Sequence, residues 1–358
     1  MEGFSTKHPL FLILTVVLLV SVVSAQPVML TDSLSTSFGE FVLTDPGTIV
    51  FVNSIGSLSS VNIDDPFNTI PIPIGWLPED DGWDGPGEIK FIKSNSYGNL
   101  ICIGMQVAVP DSVLQVGLSM PDPVVIIVCN SLGEDAKVIG VTVDSGEELS
   151  FDFTMDSRLL YGAGFLPCNS DPESYFAYHL GDESSSISPY DVVDLEVGVR
   201  FSTNGIIKDR LISNRWSDLI VAGSEPLGII ADMTTFSTVY EDSALTSVII
   251  EQWIEPDAGL AEIDGTQVVR RADGVVYENQ EEPFIILCRL SEGNYLFTRN
   301  GGETISTGII DWSIFAEEES TEMTALAGYM SLNSIVRVLD SGSGIVFSAG
   351  RGLYYYEF

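Results

Sequence analysis

Apolar and polar residues alternate with a period of two along Val193–Phe201 and again along Leu149–Met155, giving each stretch one apolar and one polar face. A half-buried antiparallel strand has this pattern. Other runs are apolar on both faces and rich in β-branched residues: Thr48–Val52, Val124–Val128, Leu219–Val221, Val248–Ile250 and Phe284–Leu287. Such runs suit strands covered on both sides. Asp, Gly, Asn, Ser and Pro punctuate them and supply the turn chemistry that reverses a chain. Helical spacing is scarce, and Ser320–Met330 is the one fragment that reads as a short helix. The pattern predicts an all-β protein.

The strands recur as a unit. Asp45–Asp64 and Ser341–Tyr356 both read as turn, apolar strand, small-residue turn with glycine, second strand. Similar units begin near Gly98, Ser157, Ser217 and Pro283. The starts lie roughly 50 to 65 residues apart, in the range of blades or coils. This resembles the inner hairpin of generic β-propeller blades, in which an apolar strand lines the hub and a glycine turn sends the chain outward. The resemblance implies a ring of about six blades, with five to seven fitting the length. Gln26–Leu43 would then supply an outer strand to the blade ending at Phe358. The signatures of the WD, kelch and Asp-box propellers are absent, and Trp216-Ser-Asp218 is not a WD repeat.

Radial packing buries both faces of the strands inside each blade and leaves only short edges, which accounts for the two-sided apolar runs. A β-sandwich is one alternative and an outer-membrane β-barrel another. Tyr354, Tyr356 and Phe358 alternate as in the closing strand of such barrels. Barrels, however, need many segments that are apolar outward and polar inward.

Ahead of the strands stands a different kind of segment. Pro9–Val23 is one apolar run, preceded by Lys7 and His8 and followed by Ser24-Ala25. A weakly basic lead, an apolar core of about 15 residues and small residues at its end match a secretory signal peptide. A membrane-spanning helix needs about 20 apolar residues. The expected organisation is a signal at 1–25 and a single propeller domain at 26–358, secreted or held in the lumen of the secretory pathway.

Composition agrees with a folded chain: 358 residues, 45% hydrophobic and 18% charged, with mean hydropathy +0.26. Charge changes the picture more. Fifteen Lys and Arg face 51 Asp and Glu, for a net charge of −36. Nucleic acids and anionic membranes are bound by exchanging counterions for Lys and Arg, so both are excluded as partners. Solubility is the simplest account of the acidity; cation binding, a basic partner, or a salty or acidic milieu are the sharper ones.

Cys102, Cys129, Cys168 and Cys288 are four in number, which permits two disulfides in an exported chain, with three possible pairings. None forms a CxxC motif. Cys102 and Cys129 sit in apolar strand-like runs and could pair across neighbouring strands, or remain buried thiols packed as small hydrophobes.

Catalytic signatures are thin. His179 is the one histidine beyond the leader, and a Ser-His-Asp hydrolase would have to use it with Asp182 or Asp191. There is no Gly-x-Ser-x-Gly elbow, HExxH pair, P-loop or Rossmann fingerprint. Carboxylates are plentiful. Glu79, Asp80, Asp81, Asp84 and Glu88 surround Trp83 and two glycine turns, and calcium, which takes six to eight oxygen ligands, is the cation such a loop suits. An EF-hand would need Glu where Phe91 stands, and a solvated acidic loop is the plainer reading. Glu317–Glu319 reads as a surface charge run. Paired carboxylates beside a tryptophan could hydrolyse glycosides. Trp76, Trp83, Trp216, Trp253 and Trp312 are available, with Asp311–Trp312 and Trp253–Glu255 as neighbours.

Three function classes follow. The leading one is a secreted or lumenal non-catalytic propeller that binds a protein, peptide or glycan through one face of the ring. The alternatives are a carbohydrate-active hydrolase using two acids, and an outer-membrane or cell-surface structural protein. No cofactor other than calcium is implied.

Overall fold

A computed structural model describes residues 26–35, 41–44, 47–76, 78, 84–95, 97–108, 124–142, 150–153, 159–162, 175–179, 190–195, 210–217, 219–224, 227–232, 237–242, 250–263, 266–278, 284–299, 303–311, 315–331, 334–339 and 342–358. These residues form seven four-stranded antiparallel sheets in a propeller arrangement. No α-helix occurs among them.

Sheet 1 holds β2 (Phe41–Thr44), β3 (Thr48–Val52), β4 (Leu58–Asn62) and β5 (Asp65–Pro71). Sheet 2 holds β6 (Asp84–Ser94), β7 (Leu100–Ala108), β8 (Val124–Asn130) and β9 (Lys137–Thr142). Sheet 3 holds β10 (Ser150–Phe153), β11 (Leu159–Gly162), β12 (Tyr175–His179) and β13 (Tyr190–Leu195). Sheet 4 holds β14 (Arg210–Ser213), β15 (Leu219–Ser224), β16 (Leu227–Asp232) and β17 (Ser237–Asp242). Sheet 5 holds β18 (Ile250–Glu255), β19 (Ala258–Ile263), β20 (Thr266–Arg271) and β21 (Val276–Glu278). Sheet 6 holds β22 (Phe284–Ser291), β23 (Asn294–Arg299), β24 (Thr304–Asp311) and β25 (Ala316–Glu322).

Sheet 7 draws on both ends of the chain. β26 (Val336–Val338), β27 (Gly344–Ala349) and β28 (Gly352–Glu357) are completed on the outside by β1 (Val28–Thr31). Val28 lies opposite Tyr355 and Met29 opposite Tyr354. The expected N-terminal closing strand is therefore present, and it is short.

Successive sheets pack side by side: β2 on β6, β6 on β10, β10 on β14, β14 on β18, and β22 on β26. Sheets 5 and 6 share an apolar cluster that includes Ile254, Leu260, Phe284 and Phe297, and sheets 7 and 1 share another with Leu30, Phe51 and Val346. Because a sheet inside the ring is covered on both sides, the second and third strands are the most deeply buried where burial is described. β8 is buried along Val124–Cys129, and β27 along Gly344–Ser348. The outermost strands are wet: β5 and β25 expose most of their residues. The four glutamates of β25 put charge along an unpaired edge, which discourages strand addition by other copies.

Several expectations are corrected. The described sheets number seven, within the expected range of five to seven though above its central value of six. The sheet not recognised is sheet 5, whose second strand is the small-residue segment Ala258–Ile263. The two-sided apolar runs are mainly second and third strands, not hub-lining ones, because those strands are sandwiched between neighbouring sheets. Ser320–Met330 is not a helix: Ser320 to Glu322 belong to β25 and pair with Gly308 to Ser306, and 324–329 are turns. Leu326 and Met330 from that segment are buried beside Ile345 and Phe347. Both rival architectures fall as well. Each sheet has two separate edges, whereas a membrane barrel is one closed sheet and a sandwich is two facing layers. Tyr354 and Tyr356 pack with Phe347 and Leu296 in the protein's own core. The expected signal at 1–25 lies outside the described residues.

Candidate functional site

Tight turns position the polar side chains of this fold, and a recurring Asn-Ser-x-Gly sequence builds several of them. It occurs at Asn53–Gly56, Asn95–Gly98 and Asn130–Gly133. Each asparagine Oδ1 accepts two backbone N–H groups inside its own turn, from Ile55 and Ser57, from Asn99 and Leu100, and from Leu132 and Glu134. Each glycine has positive φ, between 66° and 80°, and donates its N–H to the asparagine carbonyl. The side chain thereby does the work of a strand partner where the ladder ends.

Asn214 leads a related turn without the glycine. Its Oδ1 accepts the Trp216 N–H at 2.8 Å, and its N–H donates to Leu219 O at 3.0 Å. Its amide nitrogen is not used locally: it donates to the carbonyls of Glu255 and Pro256 on sheet 5, at 3.0 and 3.1 Å. The Ser217 hydroxyl donates to Pro256 O at 2.7 Å. The turn between β14 and β15 is thus pinned to the turn between β18 and β19.

Sheet 6 adds the third wall. The Arg289 guanidinium lies over the Trp216 ring, 4.7 Å from its centre. Its Nη1 is 3.3 Å from Glu255 Oε2, an ion pair without hydrogen-bond alignment, with the two side chains only 12% and 16% exposed. The fully buried Tyr295 donates its hydroxyl to Glu255 Oε1. A chain of four side chains from three sheets therefore runs from a buried phenol to an indole. Trp216 is 39% exposed, while Trp76 and Trp253 are buried, so among the described tryptophans it alone offers a face to solvent. Arg215 beside it is exposed. On the adjoining turns Asp257 pairs with Arg271 at 2.8 Å, and both are about half exposed.

Among the described residues Glu255 pairs with a guanidinium and a phenol, not with the second carboxylate that glycoside hydrolysis needs at about 5 to 10 Å. Trp253, its neighbour in sequence, is buried. A shallow groove of about 400 Å³ on sheet 6 has Glu292, Asn294, Thr307 and Glu319 in its walls and no aromatic lining.

Of the calcium-loop candidates, Glu79, Asp80 and Asp81 lie outside the described residues, and Asp84 opens β6. Glu88, on the same strand, is exposed and pairs with Lys90 at 2.9 Å. Among the described residues no group of three or more His, Cys, Asp or Glu could hold a metal. Cys129 and Cys288 are free and buried, Cys102 is buried, and Cys168 lies outside the described residues. The pairing of Cys102 with Cys129 is not formed. Cys129 stands opposite Ile101 and Cys102 opposite Val128, so the two project from opposite faces of sheet 2. Burial pushes the thiols of Cys129 and Cys288 up to about 12. His179 falls in β12, paired with Tyr190 of β13.

Trp216 and Glu255 are candidates in the sequence as separate residues; Asn214, Arg289 and Tyr295 join them only in the fold. The Asn-Ser-x-Gly recurrence was a signal available in the sequence; Arg289 and Tyr295 carry none, because only ring packing brings sheet 6 beside sheets 4 and 5. The chain matches no protein-family model and no curated protein.

Proposed function

We propose that this chain is an exported, non-catalytic propeller whose residues 26–358 act as one seven-bladed scaffold and bind a protein, peptide or glycan partner. The observation that carries the reading is the exposed Trp216 ring, fixed in place by Asn214, Arg289, Glu255 and Tyr295. A half-exposed indole adds little to folding stability, whereas a rigid aromatic anchor adds to binding because little freedom is lost when the partner arrives. The apolar run and small residues of the leader support export, and a propeller suits a scaffold that presents loops at its ends.

Arrays of immobilised peptides and oligosaccharides test the reading. The protein from which the leader has been removed is expected to be retained on one class without releasing product, and Trp216→Ala to lose that retention. Retention unchanged by the substitution would overturn the site, and product release would assign an enzyme. Expression in a secreting host tests export: the mature chain is expected to begin at Gln26.

A further inference from the structure

The geometry points to a neutral sugar ring as the ligand of the Trp216 platform, an inference that rests on the platform being a binding site. One face of the indole is taken by Arg289, and the side chain as a whole remains 39% exposed. A guanidinium on one face draws π density toward itself, so a second cation on the opposite face meets like charge. That disfavours lysine, arginine and quaternary ammonium ligands despite the acidity of the chain as a whole.

Anions meet a chain of net charge −36 and, apart from the exposed Arg215, arginines that are already paired. Arg289 is already paired with Glu255, and Arg271 with Asp257 and, at 3.6 Å, with Asp273. A long apolar side chain needs a pocket for its length, whereas Trp216 sits in the turn between β14 and β15 and is 39% exposed. What remains is a flat, uncharged group with one apolar face and polar edges. A pyranose has that form: axial C–H bonds on one face stack on an aromatic ring, and equatorial hydroxyls point outward.

Polar groups for those edges stand on the adjoining turns. The Asp257 carboxylate and Arg271 guanidinium form an exposed pair, which offers acceptor and donor side by side, as vicinal hydroxyls require. Ser217 Oγ, held on Pro256 O, and exposed Arg215 flank the ring in sequence. Glu255 and Tyr295 do not touch the sugar; they are positioning residues that hold Arg289 beneath the indole.

Arrays and titrations can separate this inference from the reading beneath it. Neutral hexose and pentose oligosaccharides, such as cellohexaose, mannohexaose and xylohexaose, are titrated against the protein while tryptophan emission is followed, with proline-rich and basic peptides in parallel. Saturable quenching by at least one neutral oligosaccharide is expected. Trp216→Ala is expected to weaken it at least about tenfold, Trp216→Phe to weaken it less, and Asp257→Asn to weaken it with the emission spectrum of the free protein unchanged. Unaltered melting of Trp216→Phe guards against a folding artefact. Peptide binding that depends on Trp216, without sugar binding, would overturn the sugar and leave the platform standing. Sugar binding untouched in Trp216→Ala would overturn both. Silence of the whole panel would overturn the sugar.

Discussion

Two joints between neighbouring sheets are built from different materials. Between sheets 1 and 2 the contact is almost wholly aliphatic: Val50, Leu58, Ile92, Ile103 and Ile127 meet in one buried cluster sealed by Trp76. Between sheets 5 and 6 an aromatic-rich cluster, in which the Phe284 ring lies 5.1 Å from Phe315 and 5.5 Å from Phe297, is overlaid with polar clasps. The Gln267 side chain both accepts from and donates to the backbone of Ile286, at 2.8 and 3.3 Å, and Glu255 bridges to Arg289 and Tyr295. Aliphatic surfaces tolerate re-registration if volume is kept. Polar clasps are satisfied in one arrangement only, and they cost stability when half made. The first joint holds the ring together. The second also fixes where each side chain stands, and its Arg289 reaches out to the exposed indole of sheet 4.

Substitutions can break the comparison, and the largest effect is expected in the apolar joint. Ile127→Ala should lower unfolding free energy by about 2–5 kcal/mol, read by chemical denaturation, with the Trp216 environment left intact. Glu255→Ala should cost about 3 kcal/mol, since it strands a mostly buried guanidinium and a buried phenol. The double variant Glu255→Gln with Arg289→Met should recover much of that stability yet not the fixed indole, which near-ultraviolet circular dichroism reports. If Glu255→Ala leaves both stability and the indole signal unchanged, the clasp has no role.

Gly104 sharpens the contrast on the aliphatic side. A Cβ there would fall on the Phe91 ring that crosses the glycine, so Gly104→Ala should cost about 1–3 kcal/mol by overpacking. The smallest effect is a drift with pH. Cys129 and Cys288 titrate near 12 when buried, against 9 when free. An unfolded chain therefore gives up these protons first. Their contribution is whole below pH 9 and is lost as pH rises toward 12, so melting temperature should fall across that window. Replacing both with alanine should flatten the fall.

Some of this was visible in the chain and some was not. Thr48–Val52 coincides with β3, and the Val124–Val128 run became β8, because a strand apolar on both faces has few other ways to be buried. The repeat was found wherever its second strand carried large residues. It failed at Ala258–Ile263, where Ala and Gly gave no apolar contrast even though Ala258, Leu260 and Ala261 are buried. The turns were readable in kind, but their common Asn-Ser-x-Gly form passed unnoticed. The site was not readable at all. Asn214, Glu255, Arg289 and Tyr295 are brought together by the stacking of sheets, and no local spacing encodes that. Nor could adjacency in sequence separate Cys102 from Cys129; only the register of β7 against β8 places them on opposite faces.

The pairing of Val28 with Tyr355 has a consequence for how the molecule is made. During translation β1 emerges long before β28 exists, so Leu30, fully buried in the finished ring, lacks its partners Val346 and Leu353 until the far end of the chain leaves the ribosome. A nascent chain in this state carries an open strand edge that invites pairing with other molecules, and sealing it is a contact of the greatest sequence separation and hence a slow one. Maturation of this ring is for that reason a post-translational event, and chaperone demand should be concentrated in that interval.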